Sequence, residues 1–212
     1  MRYILGLLAA LVVGAMFSCS EKEEESIFDH WQDINDALAD SLLAEARGNL
    51  FSQGADTTKI DAMPLDNLFA IQTRASTSKK IEYVFCKKLT ATKGRHPLYT
   101  DRISAYYCGS YITGNVFDSN FDGYVATDVD MKGNLFLPAV YDTPTTFEIQ
   151  TTSYTGLIEG WIAALQFMRE GERWVLYVPY QSGYGRSGSS DGNVIGYSLL
   201  VFDIILDEIL DK

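Results

Sequence analysis

The chain opens on an apolar run, Ile4 to Phe17, behind a single basic residue, Arg2. It is too short for a stop-transfer helix and reads as the hydrophobic region of a secretory signal. From Ile27 to Arg47 apolar residues recur at helical spacing. Ile27, Trp31, Ile34, Leu38 and Leu42 fall on one face, and Gly48-Asn49 supplies the stop. Asn49 to Lys80 is mixed and polar and reads as a linker with a short helical turn after Pro64.

From Lys80 the period changes to two. Ile81, Tyr83 and Phe85 alternate with polar or small residues, as do Ile103, Ala105 and Tyr107. Arg173 to Val178 is a short apolar strand with β-rich composition. Leu200, Phe202, Ile204 and Leu206 form one face of a final strand, with Asp203 and Asp207 on the other. One short helix lies between, opened by Gly160, with Trp161, Leu165 and Met168 on a shared face and Gly171 closing it. Antiparallel-compatible strands with one helix imply an α+β domain whose helix lies on one face of the sheet.

Charge and composition narrow the functions. The chain has 212 residues and a formal charge of −11. A chain this acidic lacks the basic stripe that nucleic acid requires, so no nucleic-acid partner is expected. The apolar run ends in Ala15-Met16-Phe17-Ser18-Cys19, which resembles the lipobox of bacterial lipoproteins. That resemblance implies removal of residues 1–18, lipidation of Cys19 and an anchor in the bacterial outer membrane, on the periplasmic side or the cell surface. Ser20 to Ser26 (Ser-Glu-Lys-Glu-Glu-Glu-Ser) is a charged, solvated tether. It looks like the acidic stretch that marks some Gram-negative lipoproteins for the surface. With Cys19 lipidated, Cys86 and Cys108 remain, and they read as two small buried apolar side chains, not a disulfide framework.

Several constellations are set aside. Gly183-Tyr184-Gly185-Arg186-Ser187-Gly188 satisfies GxGxxG, but Ser189 to Asn193 cannot open the helix that a dinucleotide site needs. Asp118 to Gly123 begins like a calcium loop, yet Val129 stands where a bidentate Glu belongs. The two histidines, His30 and His96, read as surface residues. They leave no raw material for a catalytic triad or a metal centre in the folded domain. No cofactor or metal is expected.

Four motifs in order then point to a family. Tyr107-Cys108-Gly109 is followed by Gly114-Asn115-Val116-Phe117-Asp118-Ser119. The helix and strand Gly160-Trp161-Ile162-Ala163-Ala164-Leu165-Gln166-Phe167-Met168-Arg169-Glu170-Gly171-Glu172-Arg173-Trp174 come next. Gly183-Tyr184-Gly185 and Leu200-Val201-Phe202-Asp203 follow. This ordered set resembles FKBP-type peptidyl-prolyl isomerases over about residues 80 to 211. The resemblance implies an antiparallel half-barrel sheet wrapped around one short helix, here with an N-terminal helical extension, and a shallow apolar pocket between sheet and helix. The chain then divides into signal peptide (1–18), tether (19–26), N-terminal helix and linker (27–79) and isomerase domain (80–212), with an insertion at 120–146.

Carried over position by position, the resemblance assigns Asp118, Tyr184 and Tyr107 to catalysis. It assigns Phe117, Phe147, Leu157, Ile158, Trp161, Val194 and Phe202 to binding of a proline-containing polypeptide, with Trp161 as the pocket floor. The chain departs from the family in three places. Ile195 replaces a proline after Val194, the insertion carries an apolar segment Leu135 to Tyr141 that could pack beside the pocket, and Arg186 to Asn193 is rich in Ser and Gly. These departures keep a second reading open, a binding module or chaperone with an altered pocket. The N-terminal helix must bury its apolar stripe, either on its own domain or against another copy.

Overall fold

The computed structural model describes residues 26, 28–125, 136–150 and 156–210. The lipobox, Cys19, Ile27 and part of the insertion lie outside the described residues. Among the described residues, no helix is long and apolar enough to cross a membrane.

The elements in chain order are α1 (Trp31–Glu45), β1 (Leu50–Phe51), α2 (Thr57–Asp61), β2 (Leu68–Gln72), β3 (Tyr83–Lys88), β4 (Arg102–Tyr111), β5 (Val116–Ser119), β6 (Thr145–Glu148), α3 (Glu159–Leu165), β7 (Arg173–Val178) and β8 (Leu200–Leu210). One mixed, mainly antiparallel sheet runs β1-β2-β3-β7-β8-β4-β5, and β6 also pairs with β4. β8 is its spine, paired with β7 on one side and β4 on the other. The α+β architecture expected from the motifs is present, and the four strands read from alternation are β3, β4, β7 and β8.

The segment read as a linker is a correction. Leu68-Phe69-Ala70-Ile71-Gln72 is a sheet strand paired along its length with β3, and the short helix α2 precedes Pro64. Its residues are apolar on both sides because both faces of β2 are covered. Phe69 and Ile71 join the α3 side of the core, while Leu68 and Ala70 join the other side. A two-sided strand shows no alternation, so period two misses it. The C-terminus of α2 is held by Lys88, a buried lysine whose Nζ donates to the carbonyls of Ile60 at 3.2 Å and Asp61 at 2.8 Å.

The two faces of the sheet have different covers. On the inner face α3 lays Trp161, Ile162 and Leu165 against Phe69, Trp174, Leu176, Phe202 and Ile204. The helix sits close because Gly160 has no side chain, and a Cβ there would lie 2.6 Å from Val178 Cγ1. Gly160 therefore serves close packing more than helix opening. Gly171, at φ +83°, turns the chain into β7 as expected.

On the outer face Leu42 and Ala46 of α1 pack against Leu68, Ala70, Phe85, Val175 and Val201. The stripe differs from the one read in sequence. Ile34 is exposed, and Asn35 is buried in its place. Asn35 is tolerated there because its amide is used twice: Nδ2 donates to Trp31 O and Oδ1 accepts from Leu199 N–H, both at 2.7 Å. The helix thus packs its stripe on its own domain. Cys86 and Cys108 are buried on β3 and β4. Two strands lie between those, a separation of about 14 Å at ~4.8 Å per strand, far beyond disulfide reach.

Candidate active site

β5 and β6 both pair with β4, β5 near its C-terminal end and β6 near its N-terminal end, so the insertion opens from a break along one sheet edge. Asn120 stitches that break. Its Oδ1 accepts from Tyr107 N–H at 2.7 Å, and its Nδ2 donates to Ala105 O at 3.0 Å and Thr145 Oγ1 at 3.1 Å. The side-chain amide completes hydrogen bonds that a continuous strand would make through its backbone. Asp118 and Asn120, which open the calcium-like stretch, are thus engaged with β4.

The break brings side chains from four strands over α3. Trp161 is 3% exposed, and three rings meet it nearly edge-on: Tyr107 and Phe147 at 5.5 Å and Phe202 at 5.4 Å between centroids. Phe117 continues the wall, 5.6 Å from Phe202. Edge-to-face contacts of this kind add roughly 0.5 to 1.5 kcal/mol each beyond burial. Leu157 and Ile158, at the entry to α3, and Val194 pack against the same cluster. Trp161 Nε1 finds no acceptor among the described residues.

Two polar groups border this apolar bowl. Tyr107 Oη donates to Asp118 Oδ2 at 2.9 Å. Burial and then the Asp118 carboxylate hold the Tyr107 hydroxyl in its protonated form, well above the usual tyrosine range. Tyr184 is 38% exposed, and burial together with the nearby Asp118 charge also raises its pKa. Tyr107, Asp118 and Tyr184 therefore face one another, so the structure brings all ten sequence-read pocket residues to a single place. Phe147, which lies beyond the insertion, is among them.

The loop after Tyr184 has its own logic. Gly185 and Gly188 have positive φ, and Gly188 lets the chain cross itself: a Cβ there would lie 2.0 Å from Val194 O. Ser189, Asp191 and Asn193 close the turn through Asp191, whose Oδ1 accepts from Asn193 N–H at 3.1 Å. The glycines of the GxGxxG match serve this crossing.

The insertion does not lie over the bowl where its ends are described. Phe121 and Tyr124 stack on Arg173, 5.3 and 4.9 Å from the guanidinium carbon. Arg173 is buried in an ion pair with Asp203, and Tyr124 N–H donates to Asp203 Oδ2 at 2.8 Å. Arg173 Nη1 also donates to Phe136 O at 2.5 Å. Arg173, Val175 and Val201 share the outer face, so the loop packs behind the sheet. The expected packing beside the pocket is corrected to this extent.

Sequence reasoning missed other groups near the site. Tyr111 extends the aromatic wall, 5.4 Å from Phe117. Arg74 donates from Nε and Nη2 to the two carboxylate oxygens of Glu159, the first residue of α3, at 3.0 and 3.1 Å. Its Nη1 donates to Tyr99 Oη at 2.7 Å. His96, read as a surface residue, is half-buried, with Nδ1 3.1 Å from Met168 O and Nε2 3.3 Å from Asp61. Arg169 pairs with the same carboxylate at 2.6 Å. Arg74 and Asp61 come from the segment read as linker, so no motif could announce them.

A family model described as FKBP-type peptidyl-prolyl cis-trans isomerase matches residues 93–207, more than half of the chain, and the chain belongs to that family. It is 34% identical over 128 residues to the macrophage infectivity potentiator of Trypanosoma cruzi, covering 60% of this chain and 53% of the relative. It is 33% identical over 118 residues to the FKBP-type 22 kDa peptidyl-prolyl cis-trans isomerase of Escherichia coli (strain K12), covering 56% and 46%. It is 31% identical over 121 residues to the outer membrane protein MIP of Legionella longbeachae, covering 57% and 41%. The chain spans about half the length of the curated relatives it matches.

Proposed function

We propose that this protein turns X-Pro bonds in exported polypeptides, with the aromatic bowl over Trp161 as its active site. Rotation about a peptide bond faces a barrier of roughly 18 to 20 kcal/mol, and an X-Pro bond takes about tens to hundreds of seconds unaided. No bond is broken, so neither a nucleophile nor a general base is required. The twisted amide has lost resonance and is less dipolar than either planar form. A water-poor, apolar site therefore suits it better than water does.

The observation that carries this reading is the ring arrangement: Tyr107, Phe147 and Phe202 stand edge-on around Trp161, leaving its upper face as a floor for a proline ring. Tyr184 Oη, held protonated beside Asp118, donates to the substrate carbonyl. Asp118 fixes Tyr107 by accepting its hydroxyl proton. In a protease-coupled or NMR isomerisation assay, the wild type accelerates a proline tetrapeptide and Trp161→Leu loses most of that acceleration. A folded wild type that accelerates no proline peptide overturns the reading.

Lipid anchoring at Cys19 and a place in the outer membrane belong to the same proposal. They are supported by the Ile4–Phe17 run ending at Cys19 and by the name of the Legionella relative. Mass spectrometry of the native protein should find an acylated Cys19, and an intact Met1 would contradict it. A chaperone role remains the second reading, favoured by Leu137, Val140 and Tyr141, which stand exposed on the insertion.

A further inference from the structure

The rim of the bowl opposite Tyr107 is the segment Asn193–Leu199, which carries Val194 into the same cluster as Trp161 and Phe202. Three side chains from outside the segment hold its backbone. Tyr111 Oη donates to Asn193 O at 2.8 Å and accepts from Ile195 N–H at 3.0 Å. Trp31 Nε1, in the first turn of α1, donates to Ser198 Oγ at 3.0 Å, and Ser198 Oγ donates to Ile195 O at 2.7 Å. Asn35 accepts from Leu199 N–H at 2.7 Å. Tyr111 also lies between the helix and the pocket wall, 6.0 Å from Trp31 and 5.4 Å from Phe117.

The rim needs such support. Tyr197 sits at φ 59°, a left-handed conformation that a bulky residue holds only when its surroundings dictate it. Ile195 is exposed and contributes little packing of its own. The two halves of α1 also differ. Leu42 and Ala46 cover the outer face of the sheet, whereas Trp31 and Asn35 spend their polar groups on the rim and on the helix start.

We propose that the first turns of α1 position the active-site rim. Trp31, through Ser198, and Tyr111 directly hold Asn193–Leu199 so that Val194 closes one side of the proline site, which governs substrate binding more than turnover. The substrate side of this proposal rests on the isomerase reading; the contacts do not. Trp31 and Tyr111 are positioning residues that touch rim and wall.

Tyr111→Phe keeps the ring and removes the hydroxyl that bridges two backbone groups. Trp31→Phe keeps an aromatic ring and removes the Nε1–H donor. Both are made in the full chain, with kcat and KM for a proline tetrapeptide, thermal unfolding, and amide hydrogen exchange of residues 186–199 as readouts. Tyr111→Phe should raise KM about three- to tenfold, as expected for loss of one or two hydrogen bonds. kcat should stay near wild type, and exchange at Asn193–Leu199 should quicken. Trp31→Phe should move KM and exchange the same way, and the double variant should fall short of the product of the two. If both variants lower the melting temperature while KM and rim exchange keep their wild-type values, α1 is only a cover for the sheet and the proposal is overturned. If the wild type shows no isomerisation, the isomerase reading falls by itself. Rim exchange then decides the positioning claim: faster exchange in the variants supports it, and unchanged exchange overturns it.

Discussion

The inner and outer faces of one sheet are stabilised by different physics. Inside, Trp161 and its ring neighbours exclude water with almost no polar content, and the hydroxyls and carboxylate stand at the border. Outside, the guanidinium of Arg173 is buried against Asp203 and roofed by Phe121 and Tyr124, while α1 covers the remainder with Leu42 and Ala46. An apolar face with a gap in it can receive a ligand. A face closed by a paired charge is committed to structure, because opening it would strand an ion. The difference separates where chemistry occurs from where the fold is fastened.

The sharpest way to break this comparison is to remove one anchor from each face. Asp203→Ala strands a buried guanidinium and should destabilise the domain by about 3 to 5 kcal/mol, read by denaturant unfolding. The protein that remains folded should keep its activity. Trp161→Ala should cost a similar ~3 to 5 kcal/mol through the cavity it leaves, but here the folded fraction should also lose activity. If the folded Asp203 variant loses catalysis as fully as the Trp161 variant, the two faces are not separable in this way.

A smaller effect is expected at the pocket border. Tyr184→Phe removes one orienting hydrogen bond, worth roughly 0.5 to 1.5 kcal/mol. It should therefore lower kcat/KM about two- to tenfold with little change in melting temperature. An unchanged kcat/KM would remove Tyr184 from the reaction.

The smallest effect is a pH dependence. Tyr107, Tyr177 and Tyr184 are all shifted upward in the fold, each chiefly by burial. Above about pH 10 the unfolded chain releases protons that the folded chain retains. Stability should be intact below that pH and decline as pH rises through the folded values. Asp61 acts at the other end. Burial would raise its pKa, but the hydrogen bond from Arg169 and the charge of His96 outweigh burial and lower it. Its contribution is present above about pH 4 and fades as pH falls through the lowered value. Unfolding midpoints measured from acid to alkali should trace both edges, and Tyr107→Phe should soften the alkaline one.

The inner face was the legible part of the sequence. Alternation marks β3, β4 and β8 because one side of each strand carries rings or branched side chains into the core. The pocket residues fall within motifs whose order is itself a signal. The outer face was poorly legible for stated reasons. β2 is covered on both sides and shows no period. Asn35 takes the place of Ile34 in the buried stripe because its amide satisfies Trp31 and Leu199, a pairing across most of the chain that no local pattern encodes. Phe121 and Tyr124 look like ordinary loop aromatics until Arg173 and Asp203 are seen beneath them. Tyr111 was overlooked for a related reason. It ends a strand that already supplied a motif, and its hydroxyl acts on backbone far along the chain.

The central claim, that the ring-lined gap over Trp161 binds and turns proline, is tested most directly by NMR exchange spectroscopy on a proline tetrapeptide mixed with the full chain. The account predicts catalysed cis–trans exchange cross-peaks at substoichiometric protein. It also predicts shift changes concentrated at Tyr107, Trp161, Tyr184 and Val194, with the Arg173–Asp203 side of the sheet silent. Exchange no faster than for the free peptide, or shift changes confined to the outer face and the insertion, would contradict it.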